Sequence, residues 1–219
     1  MENVGQHSSI KRRGWVAAGI VLAVLVIDQV IKIWVKTHMY IGETAIEWDA
    51  FGITWFKMTF LENNGAAGNL NLFGSKILLT LFRFLAIIVM GYYMWLLTKK
   101  KELVRWGYYI CLALILAGAA GNLIDCMFYG LCFSASPEYT TVVADYVGWG
   151  GAGHYAGFLE GMVVDMFRMP FTFVWNIADA AITIGVILLL LFYRKELSEL
   201  SFGRSKMTSE TSEEIAHEA

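Results

Sequence analysis

The sequence predicts an all-α integral membrane protein with four transmembrane helices and both termini on the cytoplasmic side, an N-in/C-in arrangement. Three observations carry that expectation. Of the 219 residues, 57% are hydrophobic and only 16% are charged, whereas a soluble domain is nearer half apolar and a quarter charged. Four apolar runs approach the ~20 residues that span a hydrocarbon core. Lys and Arg cluster at alternate ends of those runs, as the positive-inside rule requires. The same composition speaks against a disordered chain or a soluble globule with a charged skin. A net charge of −2 offers no basic excess for nucleic acid. None of the three Cys forms a C-x-x-C pair, which excludes a disulfide-dense scaffold and a Cys-based zinc knuckle.

In chain order, residues 1–13 form a tail carrying Lys11, Arg12 and Arg13, read as cytoplasmic. The first helix is expected over about 15–35, with Asp28 and Lys32 in its second half. A cleaved leader is the alternative for this run, but no small-residue cleavage site follows it. The outer segment at about 37–76 alternates Phe56, Met58 and Phe60 with Lys57 and Thr59, a strand period. A hairpin over 43–62 is expected there, turning at Asp49–Gly52, and Trp48, Trp55 and Phe56 suit a membrane interface. The second helix is expected over about 77–97, interrupted only by Arg83, and the third over about 106–124 with no charge. Between them Lys99, Lys100, Lys101 and Arg105 return the chain to the cytoplasmic side. An extended outer loop follows over about 125–170. The fourth helix is expected over about 171–192, with Pro170 as its start signal and Asp179 as its one charge. With Arg194, Lys195, Arg204 and Lys206, 11 of the 17 basic residues lie on one side. Residues 14–193 thus make one membrane domain, and 194–219 read as a mostly disordered cytoplasmic tail.

The polar residues inside these runs lie at one depth. An α-helix rises ~1.5 Å per residue. Asp28 is 15 residues from Arg13 and Asp179 is 15 from Arg194, each about 22 Å. Arg83 lies 16 residues before Lys99, about 24 Å, and Asn122 and Asp125 lie 17 and 20 past Arg105, about 26 to 30 Å. All fall in the outer third of a core about 30 Å thick. Ionisable groups at such depth face the bundle interior and mark function, so one polar site near the outer leaflet is expected. Plainer readings stand beside this one. Asp28 and Lys32, at i and i+4, can neutralise each other. Arg83 can snorkel or pair with a carboxylate, and Gly118 to Gly121 suit close helix packing. Asp179 has no basic partner near it in sequence and is the hardest to explain structurally.

The residue types narrow the chemistry. No H-E-x-x-H occurs and the His residues are scattered at 7, 38, 154 and 217, which removes a common zinc-protease signature. No G-x-S-x-G occurs, and no Ser lies in the last two apolar runs. Cys126 and Cys132 lack a His partner, although in an oxidising compartment they could pair with each other. Carboxylates remain. Asp165 precedes the last helix, Asp179 lies inside it, and the chain between them can fold back around Pro170. Two carboxylates brought together share one proton. The charged one takes a proton from water and the neutral one donates to the carbonyl oxygen under attack. That is the logic of an aspartic peptidase.

Five segments carry a resemblance: Asp28-Gln-Val-Ile-Lys32, Asn63-Asn-Gly-Ala-Ala67, Gly121-Asn-Leu-Ile-Asp125, Val164-Asp-Met-Phe167 and Trp175-Asn-Ile-Ala-Asp179. In this order, across about 14–193, the chain resembles the lipoprotein signal peptidases (signal peptidase II), bacterial membrane aspartic peptidases. The resemblance implies cleavage of diacylglyceryl-modified prolipoproteins just before the lipidated Cys. It implies Asp165 and Asp179 as the catalytic pair. It puts Asp28, Lys32, Asn63, Gly65, Ala66, Asn122, Asp125, Asn176 and Ala178 around the pocket as substrate-binding or supporting groups. It also implies an extracytoplasmic β-cradle, a place in the bacterial inner membrane with the site at the extracytoplasmic face, and a monomer in contact with membrane lipids. No metal, organic cofactor or nucleic acid is expected.

Two departures stand out. The family usually has Arg where this chain has Cys126, so a contact made by that Arg is in doubt, with Arg83 or Arg168 as replacements. In addition, 39 residues separate Asp125 from Asp165, far more than the family's usual short gap. The insertion, about 131–161, reads as a lid or a lipid-facing flap with Trp149, Tyr155 and Phe158 at an interface, and its Asp145 is a weaker rival carboxylate. Two other functions remain open. A proton-coupled transporter would use Asp28, Lys32, Asp125 and Asp179 as a relay, but no broken-helix repeat is visible. A non-enzymatic lipid-binding membrane protein would explain the aromatics but not acidic motifs at one depth.

Overall fold

Apolar runs free of proline propagate as helix once nucleated. A computed structural model of the chain describes residues 2–63, 76–99 and 105–198. It has three helices long and apolar enough to cross a membrane: Arg12–His38, Lys76–Thr98 and Trp106–Cys132. The elements are α1 (Glu2–His38), β1 (Thr44–Ala50), β2 (Ile53–Asn63), α2 (Lys76–Lys99), α3 (Trp106–Ile124), α4 (Gly130–Cys132), β3 (Val163–Arg168) and α5 (Ile177–Phe192). α1 exceeds the expected 15–35 at both ends, because no proline separates the expected tail from the apolar run. The end of the C-terminal tail, 199–219, lies outside the described residues.

α5 is apolar but only 16 residues long, and it corrects the expected start at 171. Pro170 does not start the helix. It belongs to a return turn in which Phe171 adopts φ 62°. Phe167 and Trp175 exchange backbone hydrogen bonds of 2.7 and 2.8 Å, and their rings pack tilted at 50° with centroids 5.1 Å apart. Asn176 then takes extended backbone (φ −129°, ψ −179°) as the N-cap. This reversal brings the residue after Trp175 beside β3.

The strands form one antiparallel sheet in the order β1-β2-β3. The expected hairpin is present. Ala50 pairs with Ile53, so the turn is Phe51-Gly52, with φ 57° and 74°. Positive φ at both positions is the two-residue turn whose twist matches the strands. β3 was not expected. Its register sets Leu61 opposite Asp165 and Asn63 opposite Val163. A cluster of Val35, Met39, Met58, Phe60, Tyr129, Phe133, Val164 and Met166 seats the sheet on α1 and on the end of α3.

α3 and α5 pack closely, and glycines allow it. A Cβ on Gly118 would overlap the Ala178 carbonyl oxygen, and one on Gly185 would lie 2.7 Å from Ile115 Cγ1 and 2.8 Å from the Cys111 carbonyl oxygen. Small residues at such crossings let backbones approach. Facing outward are large apolar side chains such as Leu22, Ile27 and Val30 of α1, Phe82, Leu85 and Val89 of α2, and Leu191 and Phe192 of α5. A helical array apolar outside and polar inside suits a lipid solvent.

Past Ile124 the helix loosens into a π-helical stretch, Asp125–Tyr129, before α4. A helix end leaves carbonyls without partners. The inserted segment supplies them: Val147, Gly150, Ala156 and Gly161 donate backbone N–H to the carbonyls of Cys132, Leu131, Gly130 and Cys126 at 2.9 to 3.1 Å. The insertion is therefore packed against the π-helical stretch and α4. Trp149 and Phe158 remain exposed and pack tilted against Phe128, with ring centroids 5.4 and 5.9 Å apart, whereas Tyr155 turns inward. Cys126 and Cys132 do not pair. Six residues apart on a helical path, they face different sides.

Candidate active site

The site is built where α1, α3, β2, β3 and α5 meet. α5 begins with a capping box. The Asn176 side chain accepts from the backbone N–H of Asp179 at 2.9 Å, and the Asp179 side chain accepts from the backbone N–H of Asn176 at 3.4 Å. The cap is more than a helix signal. Asn176 is fully buried, and its Nδ2 donates to Asp165 Oδ1 at 2.6 Å and to Asn122 Oδ1 at 3.1 Å. Asn176 thus reaches the Asp165 carboxylate through its side-chain amide and the Asp179 carboxylate through its backbone N–H.

Each carboxylate has a second amide. Asn63 Nδ2 donates to Asp165 Oδ2 at 3.2 Å, and Asn122 Nδ2 donates to Asp179 Oδ1 at 2.7 Å. Asp165 is 3% exposed. Its burial and the nearby charge of Asp179 push its carboxyl up to about 7, against the pull of the Asn63 and Asn176 donors and of Lys32. Asp179 is less enclosed, half-buried at the start of α5.

Beneath this pair lies a buried ionic cluster. Lys32 Nζ has three protons and meets three acceptors: Asp28 Oδ2 at 2.9 Å, Asp125 Oδ2 at 2.8 Å and Asn122 Oδ1 at 2.9 Å. Asp28 and Lys32 do pair, but within a larger network. Asp28 Oδ1 accepts the Ala178 backbone N–H at 2.9 Å, an otherwise orphaned donor of α5. Asp125 Oδ2 accepts from Val164 N at 3.3 Å, linking α3 to the strand that carries Asp165. Gly121 must lack a side chain here, since a Cβ would stand 2.7 Å from Asp28 Oδ2.

Of the residues singled out from sequence, Asp28, Lys32, Asn63, Asn122, Asp125, Asp165, Asn176, Ala178 and Asp179 come together. Gly65 and Ala66 lie outside the described residues. Asp145 is exposed and stands apart. Arg168 is exposed at the end of β3, whereas Arg83 Nη1 donates to Cys126 Sγ at 3.3 Å, one residue from Asp125. Gln29 was missed. Its Nε2 donates to Asp125 Oδ1 at 2.9 Å and its Oε1 accepts from Tyr129 at 3.2 Å. Its place between Asp28 and a helix-spaced Lys was the available signal. No group of three or more His, Cys, Asp and Glu side chains among the described residues is arranged to hold a metal ion.

Comparison with known proteins bears on this arrangement. The family model described as signal peptidase (SPase) II matches residues 20–194, a span that contains every residue of the site. The chain belongs to the signal peptidase II family. A lipoprotein signal peptidase of Porphyromonas gingivalis is 38% identical, with 92% of this chain and 93% of that protein covered. One from Amoebophilus asiaticus is 32% identical, with 86% and 81% covered. A bacterial membrane enzyme solved by the in meso method superposes with a TM-score of 0.56 at 25% identity, over 84% of this chain and 90% of that one. Membership in the signal peptidase II family makes this chain a peptidase and a multi-pass membrane protein.

Proposed function

We propose that the chain is an aspartic endopeptidase that removes the signal peptide from diacylglyceryl-modified prolipoproteins, cutting before the lipidated Cys. Asp165 and Asp179 are its catalytic pair. The observation that carries this reading is the Asn176 bridge, which touches both carboxyl groups and holds them in one hydrogen-bonded set. Asp165, held near 7, keeps its proton and donates it to the scissile carbonyl oxygen. Asp179, held by Asn122 and the α5 N-terminus, takes a proton from the attacking water. The water oxygen adds to the carbonyl carbon, and collapse of the resulting diol returns a proton to the leaving amine. Lys32, saturated by Asp28, Asp125 and Asn122, ties α1 to α3, and Asp28 extends the tie to α5 through the Ala178 N–H.

The same reading makes α5 a fourth span, with both termini cytoplasmic and the site at the outer face. At 16 residues α5 is about 24 Å long, shorter than a core of about 30 Å. Its N-terminus would then end inside the hydrocarbon, where a polar cap is tolerated only if satisfied. Asn176, Asp179 and Asp28 satisfy it. A site at that level admits water from outside and acyl chains laterally, so the partners are lipidated precursors and membrane lipids, met by a monomer in the bacterial inner membrane. The test is incubation of the purified protein with a diacylated lipobox peptide, with mass analysis of the products. Cleavage before the lipidated Cys is expected, and no cleavage would overturn the reading.

A further inference from the structure

A second buried ion pair stands one turn further along α1. Lys36, four residues past Lys32, is fully buried. It donates to Glu62 Oε1 and, at 3.1 Å, to Ser136 Oγ. The rings of Tyr155 and Phe133 flank its ammonium at 4.8 and 5.7 Å. Ser136 and Tyr155 belong to the inserted segment, so the insertion encloses the pair. Glu62 is 2% exposed in its side chain, and its Oε2 has no hydrogen-bond partner among the described residues.

Stability does not account for this arrangement. A buried ion pair adds little over an apolar replacement of similar volume, and a buried oxygen without a partner subtracts from it. Its location does account for it. Glu62 precedes Asn63 at the end of β2 and stands opposite Val164, the neighbour of Asp165. Successive strand residues point to opposite faces. Fixing Glu62 on one face therefore sets the direction of Asn63 on the other, where Asn63 Nδ2 meets Asp165 Oδ2.

We propose that Lys36 and Glu62 form a positioning pair for the catalytic carboxylates: the inserted segment seals the pair, the pair pins the end of β2, and the pinned strand holds Asn63 against Asp165. This rests on the assignment of Asp165 as catalytic. Neither Lys36 nor Glu62 touches the reacting atoms, and their effect passes through Asn63.

The test is a cycle of variants of the full chain, assayed on a diacylated lipobox peptide. Glu62→Gln should lower kcat about tenfold, the worth of one hydrogen bond, and leave KM unchanged. In an Asn63→Ala background the same substitution should cause no further loss. Equal losses in both backgrounds, or no loss in either, would overturn the proposal. Should Glu62→Gln fail to accumulate, Lys36→Met with Glu62→Met removes both charges and should accumulate with the same dependence on Asn63. Full activity of that double variant, or its failure to accumulate, also overturns the proposal. Asp165→Asn run alongside separates the two assignments. An inactive Asp165→Asn with a fully active Glu62→Gln defeats only the positioning pair, whereas an active Asp165→Asn defeats the catalytic assignment itself.

Discussion

Replacing Asn176 separates two roles that one side chain performs. Its Oδ1 caps α5 by accepting from Asp179 N at 2.9 Å, and its Nδ2 donates to Asp165 Oδ1 at 2.6 Å. Asn176→Ser keeps a good capping group but no amide N–H, and Asn176→Ala keeps neither. Loss of an N-cap costs about 1 kcal/mol. Loss of its hydrogen bond to the neutral Asp165 carboxyl that the proposed reaction uses costs about 0.5–1.5 kcal/mol, which in a rate is roughly 2- to 13-fold. Both variants should therefore process a lipidated precursor more slowly by about that factor, with Asn176→Ala less stable than Asn176→Ser by about 1 kcal/mol. The pH dependence has a definite sign. In the proposed reaction Asp165 is neutral, so activity should fall as pH rises through about 7. Asn176 donates to the ionised form, so without it Asp165 keeps its proton to higher pH and the fall moves upward. Initial rates in detergent across a pH series, with thermal unfolding of the same samples, measure both effects. A wild-type rate for Asn176→Ser, or a fall that moves to lower pH, would refute the reasoning.

Other substitutions probe the supporting groups. Lys32→Met leaves Asp28 and Asp125, at most 1% exposed, without their cation; breaking such a buried cluster costs about 3–5 kcal/mol. The variant should be depleted from membranes, and accumulation at the wild-type level would contradict the network. Gly118→Ala drives a methyl group into the Ala178 carbonyl. Overpacking of this kind costs about 1–3 kcal/mol, and it should lower both the unfolding temperature and processing; an unchanged unfolding temperature would show that α3 and α5 are further apart. Deleting 134–158 removes the N–H groups that cap the carbonyls of Gly130, Leu131 and Cys132. Loss of stable protein is expected, and a stable, active deletion would show that the segment is a dispensable flap.

Much of the site was legible because membrane burial makes polar residues conspicuous. Asp28, Arg83, Asn122, Asp125 and Asp179 were placed at one depth by helix rise alone, and the structure joins all of these but Arg83 through Lys32 and Asn122. The hairpin was legible because Phe56, Met58 and Phe60 alternate with polar residues. β3 was not. Its residues are buried from Val163 to Met166, with Val164 and Met166 in the apolar cluster and Asp165 enclosed by Asn63 and Asn176, so no alternation survives. The start of α5 was misread because Pro170 reads as a helix opener, whereas the reciprocal Phe167–Trp175 pairing delays the helix to Ile177. The inserted segment has almost no periodicity. Its fit to the π-helical stretch and α4 rests on backbone N–H groups, which carry no sequence signature. Lys36 lies one residue past the expected end of the first helix and was not singled out, and the ring that flanks its ammonium is that of Tyr155, more than a hundred residues away in sequence.

The central claim is that Asp165 and Asp179 share the chemistry, and single amide substitutions of each test it directly. Asp165→Asn and Asp179→Asn preserve shape and nearly all packing, so both proteins should accumulate in membranes at wild-type levels. In each, release of the signal segment from a diacylated precursor should drop below detection. Processing at the wild-type rate by either variant would contradict the assignment.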